Sequence, residues 1–193
     1  MQVNVMEING NWDYGYVLDK HSKSSTFIGY DEQGKKQFDT IRTEIGEALF
    51  QLKYRSDFSK VVPLALEIKT RLNIIFSPVS LIIPIPPSKV RKIQPVTELA
   101  KETAKQLEKP FYSNLLVKVT PTPQMKDILL TEDKVSSLLD SFQVNDILPN
   151  GKYDILLVDD LYSSGSSLKA ATEVLRKYSK IGKIFVVAIS QTK

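Results

Sequence analysis

Over its last 40 residues the chain changes hydrophobic pattern twice. Tyr153 to Val158 is an apolar run interrupted only by Asp154. From Ser166 to Tyr178, Leu168, Ala171, Val174 and Leu175 recur at helical spacing, and Ile184 to Ile189 is again apolar throughout. Continuous apolar runs with an amphipathic helix between them predict parallel strands covered on both faces, joined as a βαβ unit. Asp159 to Gly165 is expected to be the loop between the first strand and the helix.

Upstream, Ile45, Ala48, Leu49 and Leu52 predict a helix that Thr43 can cap and Ser56-Asp57 ends. Phe58 to Phe76 reads as a second helix with Pro63 near its first turn. Val79 to Ile85 reads as a buried strand running into Pro84-Ile85-Pro86-Pro87-Ser88. Pro95 opens a helix that carries Val96, Leu99, Ala100, Thr103, Ala104 and Leu107. Leu115 to Val119 is a strand, Pro121-Thr122-Pro123 a loop, and Glu132 to Leu139 a short helix. The first 42 residues read as β: Trp12, Tyr14, Tyr16 and Leu18 alternate, and Asp31-Glu32-Gln33-Gly34 marks a turn. A small antiparallel meander is expected there. The division is thus a β module over 1–45 and an α/β domain over 46–193. A meander of that size is marginal alone and should dock on the main domain or on a second subunit, so a homodimer stays open.

Composition narrows the chemistry. A chain of 193 residues supports one domain with a sizeable core and a small appendage. With no cysteine, disulfides, thiol catalysis and thiolate metal sites are excluded. The single histidine, His21, argues against a histidine metal cluster or a serine–histidine triad and reads as a loop residue. No apolar run is long enough to span a bilayer, and Met1 to Gly10 lacks the apolar core of a signal peptide, so the default expectation is cytoplasmic. Residues 1–50 hold five Lys/Arg against eight Asp/Glu, and residues 51–193 hold 21 against 14. The basic larger part suits a polyanionic ligand, and it equally suits an ordinary solvated surface. No dense basic run with interleaved aromatics supports a nucleic-acid groove.

The chemistry concentrates in Ile155-Leu156-Leu157-Val158-Asp159-Asp160-Leu161-Tyr162-Ser163-Ser164-Gly165-Ser166-Ser167. A buried strand ends in two carboxylates, and a turn rich in hydroxyls leads into a helix. The C-terminal edge of a parallel sheet is where open α/β folds bind ligands. The helix start offers unpaired N–H groups and partial positive charge to a phosphate. Gly165 permits close backbone approach, and the four serines can donate to phosphate oxygens. Asp159 and Asp160 suit two sugar hydroxyls. Singly, each serine reads as a helix cap and each acid as a turn former. Together, acids and hydroxyls describe a site for ribose 5-phosphate. No Gly-Lys-Ser/Thr stretch makes a Walker loop, and no three spaced glycines make a dinucleotide fingerprint. A phosphorelay receiver would need two more βα units, and 33 residues follow Asp160.

These thirteen residues resemble the signature of type I phosphoribosyltransferases, which bind 5-phosphoribosyl-1-pyrophosphate (PRPP). Serines stand here where the signature has threonines, and Tyr162 fills its variable position. Ile82-Ile83-Pro84-Ile85-Pro86, Arg91 and Glu98-Leu99-Ala100 resemble the ComF-like and amidophosphoribosyltransferase-like branch, as do Leu52-Lys53-Tyr54, Gln124 and Phe142. The similarity covers about residues 46–193. The chain departs from that branch in lacking a cysteine zinc ribbon. It also has Arg91-Lys92-Ile93-Gln94-Pro95 where the branch has Arg-Gly-Phe-Asn-Gln, and Lys134 and Ser137 replace a later Arg and Asn.

The resemblance implies an α/β fold with a parallel sheet and a small N-terminal antiparallel module. It implies transfer of phosphoribose from PRPP to an unspecified acceptor, with release of pyrophosphate. Asp159 and Asp160 would hold the ribose hydroxyls. Tyr162, Ser163, Ser164, Gly165, Ser166 and Ser167 would hold the 5-phosphate. Pro86, Pro87, Ser88 and Lys89 would meet the pyrophosphate, with Arg91 in support, although Arg91 reads equally as a surface charge. Gln124 and Lys126 would belong to a closing loop, Lys126 reading first as a solvated surface residue. Magnesium would bridge substrate oxygens with few protein ligands. The alternative is a non-catalytic PRPP or nucleotide sensor or adaptor, ComF-like and linked to DNA uptake or repair.

Overall fold

The computed structural model describes residues 1–88, 91–119 and 139–192. In chain order these form β1 (Met6–Glu7), β2 (Tyr14–Lys20), β3 (Ser22–Tyr30), β4 (Lys36–Arg42), α1 (Glu44–Tyr54), α2 (Val61–Leu72), β5 (Leu81–Pro84), α3 (Pro95–Gln106), β6 (Leu116–Lys118), β7 (Phe142–Val144), β8 (Tyr153–Tyr162), α4 (Ser166–Arg176) and β9 (Ile181–Gln191). The main sheet has the order β1-β2-β9-β8-β5. β2, β9, β8 and β5 run parallel, and β1 closes one edge antiparallel. Four strands therefore end on one edge of the sheet, at Lys20, Gln191, Tyr162 and Pro84.

The central runs of β5, β8 and β9 are buried on both faces, which is why their sequences are apolar without alternation. Ile155 and Leu157 of β8 join Leu168, Ala171 and Leu175 of α4 in one core cluster. Leu156 and Val158 join Leu49, Leu52, Leu64, Ile68 and Leu99 of α1, α2 and α3 in the other. α1 starts as expected: the Thr43 hydroxyl accepts the Gly46 N–H at 2.9 Å and donates to the Lys20 carbonyl at 2.6 Å. Gly46 lies directly against the His21 backbone, where a Cβ has no room. Pro63 falls in the first turn of α2, and Pro95 is the first residue of α3.

Two expectations are corrected. The first 42 residues do not form one antiparallel meander. β3 and β4 make an antiparallel hairpin, with Phe27 opposite Phe38, but β2 is an internal strand parallel to β9. The adjacent residues Val17 and Leu18 are both fully buried, the mark of a strand covered on two faces. The second correction concerns Asp159 to Gly165, which is not all loop. β8 continues through Tyr162 because Asp159, Leu161 and Tyr162 pair with Ala188, Ser190 and Gln191 of β9. Only residues 163–165 separate β8 from α4. Most of the helix expected over Glu132 to Leu139 lies outside the described residues.

Candidate active site

The period of two along β8 sends its two acids to opposite faces of the sheet. Asp159 follows Ile155 and Leu157 onto the α4 side. It is buried, and its Oδ1 accepts the Asp160 N–H at 2.7 Å. Asp160 follows Leu156 and Val158 onto the α1 side, where its Oδ2 lies 2.9 Å from the Lys53 Nζ. Burial, then the neighbouring Asp160 charge, pushes the Asp159 carboxyl up to about 7. The Lys53 ammonium works in the other direction.

The acids open into a cleft of about 260 Å³ at the C-terminal edge of the sheet. One side is the segment after β5, Pro86, Pro87 and Ser88, with Arg91 and Gln94 ahead of α3. The Ile85 N–H donates to the Val158 carbonyl at 2.8 Å, which anchors this segment beside the acids. Leu161 and Ser167 line the side toward α4. Lys53, Lys118 and Phe142 complete the lining. Burial lowers the pKa of Lys118.

A smaller hollow shares Asp159, Leu161 and Ser167 with this cleft and is lined by Tyr162, Ser163, Ser164, Gly165 and Ser166. Gly165 has φ 73° and immediately precedes α4. An alanine Cβ there would meet the Tyr162 ring at 2.8 Å. The Ser164 and Ser166 hydroxyl oxygens are 2.8 Å apart, and Ser163 and Ser164 are exposed. The helix start, with its N–H groups lacking intrahelical partners, therefore lies beside a set of hydroxyls.

The structure brings together the expected acids, the serine–glycine turn, and Pro86 to Ser88 with Arg91. Lys89, Gln124 and Lys126 lie outside the described residues. Sequence reasoning gave no site role to Lys53 or Lys118. Lys53 sits within the Leu52-Lys53-Tyr54 stretch singled out above, so a signal existed; Lys118 carried none. Phe142 does line the cleft. His21 sits at the same sheet edge, its Nδ1 3.0 Å from the Ser190 Oγ, and burial lowers its pKa, followed by the charges of Arg42 and Lys53.

No family model matches the sequence, and no curated protein matches it either. Solved structures do match. Adenine phosphoribosyltransferase from Leishmania tarentolae aligns with a TM-score of 0.51 and 9% identity, over 97% of this chain and 94% of that one. The fold is that of a type I phosphoribosyltransferase. Two further phosphoribosyltransferases align at lower scores. Xanthine-guanine-hypoxanthine phosphoribosyltransferase from Helicobacter pylori gives 0.47 at 14% identity, over 71% of this chain and 77% of that one. Hypoxanthine phosphoribosyltransferase from Staphylococcus aureus gives 0.43 at 14% identity, over 68% of this chain and 62% of that one. Beside the parallel core stand two separate antiparallel pairs, β3–β4 and β6–β7. Among the described residues, no helix is long and apolar enough to cross a membrane.

Proposed function

We propose that this chain binds PRPP in the cleft and transfers its phosphoribosyl group to an acceptor nucleophile, releasing pyrophosphate. The observation that carries this reading is a cleft edged by two carboxylates and a proline-rich segment beside Arg91, adjoined through Asp159, Leu161 and Ser167 by a hollow that the glycine–serine turn lines at a helix start. The 5-phosphate takes residues 162–167, where backbone N–H groups and hydroxyls converge. The ribose hydroxyls donate to Asp159 and Asp160. The diphosphate meets Pro86 to Ser88 and Arg91. As the bond from the anomeric carbon to the diphosphate breaks, positive charge develops on the ribose and negative charge on the leaving group. The protein contributes by fixing the ribose between its two phosphate ends and by setting cationic side chains where the departing charge accumulates.

Magnesium fits the donor set to a limited degree. The carboxylate oxygens are hard ligands, but Asp160 is ion-paired and no described group of three acids or histidines could hold an ion. Substrate oxygens would supply most of its coordination, and the ion would neutralise diphosphate charge. Placement in the ComF-like branch belongs to the same proposal, supported by Lys53 and Phe142 both lining the cleft.

The test is to incubate the protein with PRPP, magnesium and a panel of bases and amines and measure pyrophosphate. Acceptor-dependent release is expected. Binding of PRPP without release for any acceptor would identify a sensor or adaptor instead.

A further inference from the structure

Lys53 is a cation that the roles above leave unused. It lies in the last turn of α1. That helix is pinned at its other end by the Thr43 cap and by the close approach of Gly46 to the His21 backbone. The Lys53 side chain is only 17% exposed, and its Nζ lies 2.9 Å from Asp160, itself 18% exposed. An ammonium held largely out of water requires an anion. Here that anion is Asp160. Yet Lys53 lines the same cleft as Pro86 to Ser88 and Arg91. A diphosphate bound there carries more charge than one carboxylate. The four-carbon stem lets the Nζ turn to it while α1 stays fixed.

We infer that Lys53 is a diphosphate-binding residue that exchanges partners, from Asp160 in the empty cleft to the diphosphate in the filled one. The exchange releases Asp160 to accept a ribose hydroxyl, so one side-chain rotation prepares both ends of the site. This rests on the PRPP reading given above. It sets the two residues apart: removing Lys53 harms diphosphate binding, whereas neutralising Asp160 frees Lys53 for it.

Calorimetric titration of the full chain with inorganic pyrophosphate and, separately, with ribose 5-phosphate, both without added metal, tests the exchange. Lys53→Met keeps the aliphatic stem and should weaken pyrophosphate binding about tenfold or more, the scale of one charged hydrogen bond. Its ribose 5-phosphate affinity should stay within about threefold, and Lys53→Arg should hold pyrophosphate affinity within about threefold. Asp160→Asn should bind pyrophosphate more tightly and ribose 5-phosphate more weakly. Equal losses of both ligands in Lys53→Met and Lys53→Arg, with a lower melting temperature, would show that Lys53 only ties α1 to β8 and would overturn the inference. Unchanged pyrophosphate affinity in Lys53→Met would overturn it too, while leaving the PRPP reading intact. If the unaltered protein binds neither ligand, the PRPP reading falls and the exchange falls with it.

Discussion

Asp159 and Asp160 are adjacent in sequence but face different environments. The first is buried on the α4 side with its Oδ1 on the Asp160 N–H, and the second is ion-paired with Lys53 on the α1 side. The pleat of β8 alone produces this split. One strand end thus offers a carboxyl that ionises late and a carboxylate already held in place.

The first consequence is a pH dependence. The Asp159 carboxyl is raised from the ordinary 3.8 to about 7, chiefly by burial and then by Asp160. A folded pKa above the unfolded one means that the folded chain holds the proton more tightly. The associated stability is complete below the ordinary value and is lost as pH rises through about 7. Asp159→Asn mimics the protonated form. Its melting temperature should gain on that of the unaltered protein as pH rises from about 5 to about 8. A constant difference across that range would show that burial does not hold the proton on Asp159.

Gly165 permits the next test. Its φ of 73° and the proximity of the Tyr162 ring both oppose a side chain. Gly165→Ala should lower stability by about 1–2 kcal/mol, the usual strain for a left-handed residue with a Cβ. It should weaken ribose 5-phosphate binding by about tenfold through displacement of the turn. Thermal melts and phosphate titrations read the two effects separately.

Trp12 is the one tryptophan, and its ring stands edge-on to Tyr162 with centroids 6.4 Å apart. Its Nε1 donates to the Ile8 carbonyl at 2.9 Å, which fixes its orientation. Ligand entering the serine–glycine turn should disturb Tyr162 and change Trp12 emission. Saturation by ribose 5-phosphate with no change in fluorescence would place the ligand elsewhere.

How much of this was legible in the sequence follows from where the signals lie. The β8–α4–β9 unit was legible because continuous apolar runs flank an amphipathic helix, and Asp31 to Gly34 announced the hairpin turn. The place of β2 was not. The alternation of Trp12, Tyr14 and Tyr16 imitates a half-solvated strand, but Tyr14 stacks on Phe185 and Tyr16 meets Phe76 edge-on. The informative feature was the adjacent pair Val17 and Leu18. The acids and serines were legible because they are contiguous. The Lys53–Asp160 pair was not, since α1 and β8 are far apart in sequence and only the packed sheet brings them together. Lys118 had no signal, because one lysine in a short strand does not show which way it turns.

Thr43 tests how the α1 scaffold is held. Its hydroxyl serves both the Gly46 N–H and the Lys20 carbonyl. Thr43→Ala should cost about 1–2 kcal/mol of stability, and Thr43→Ser should recover most of it. Denaturant unfolding of the two variants checks this, and equal midpoints would remove the cap from the account.

Titration of ribose 5-phosphate, the half of PRPP that Lys53 does not meet, into the unaltered protein and into Asp160→Asn tests the central claim most directly. The expected result is one site per chain, weakened in the variant by ~1–3 kcal/mol, the range for hydrogen bonds to a charged group, with the fold intact by circular dichroism. Equal affinity in both proteins, or no binding to either, would contradict it.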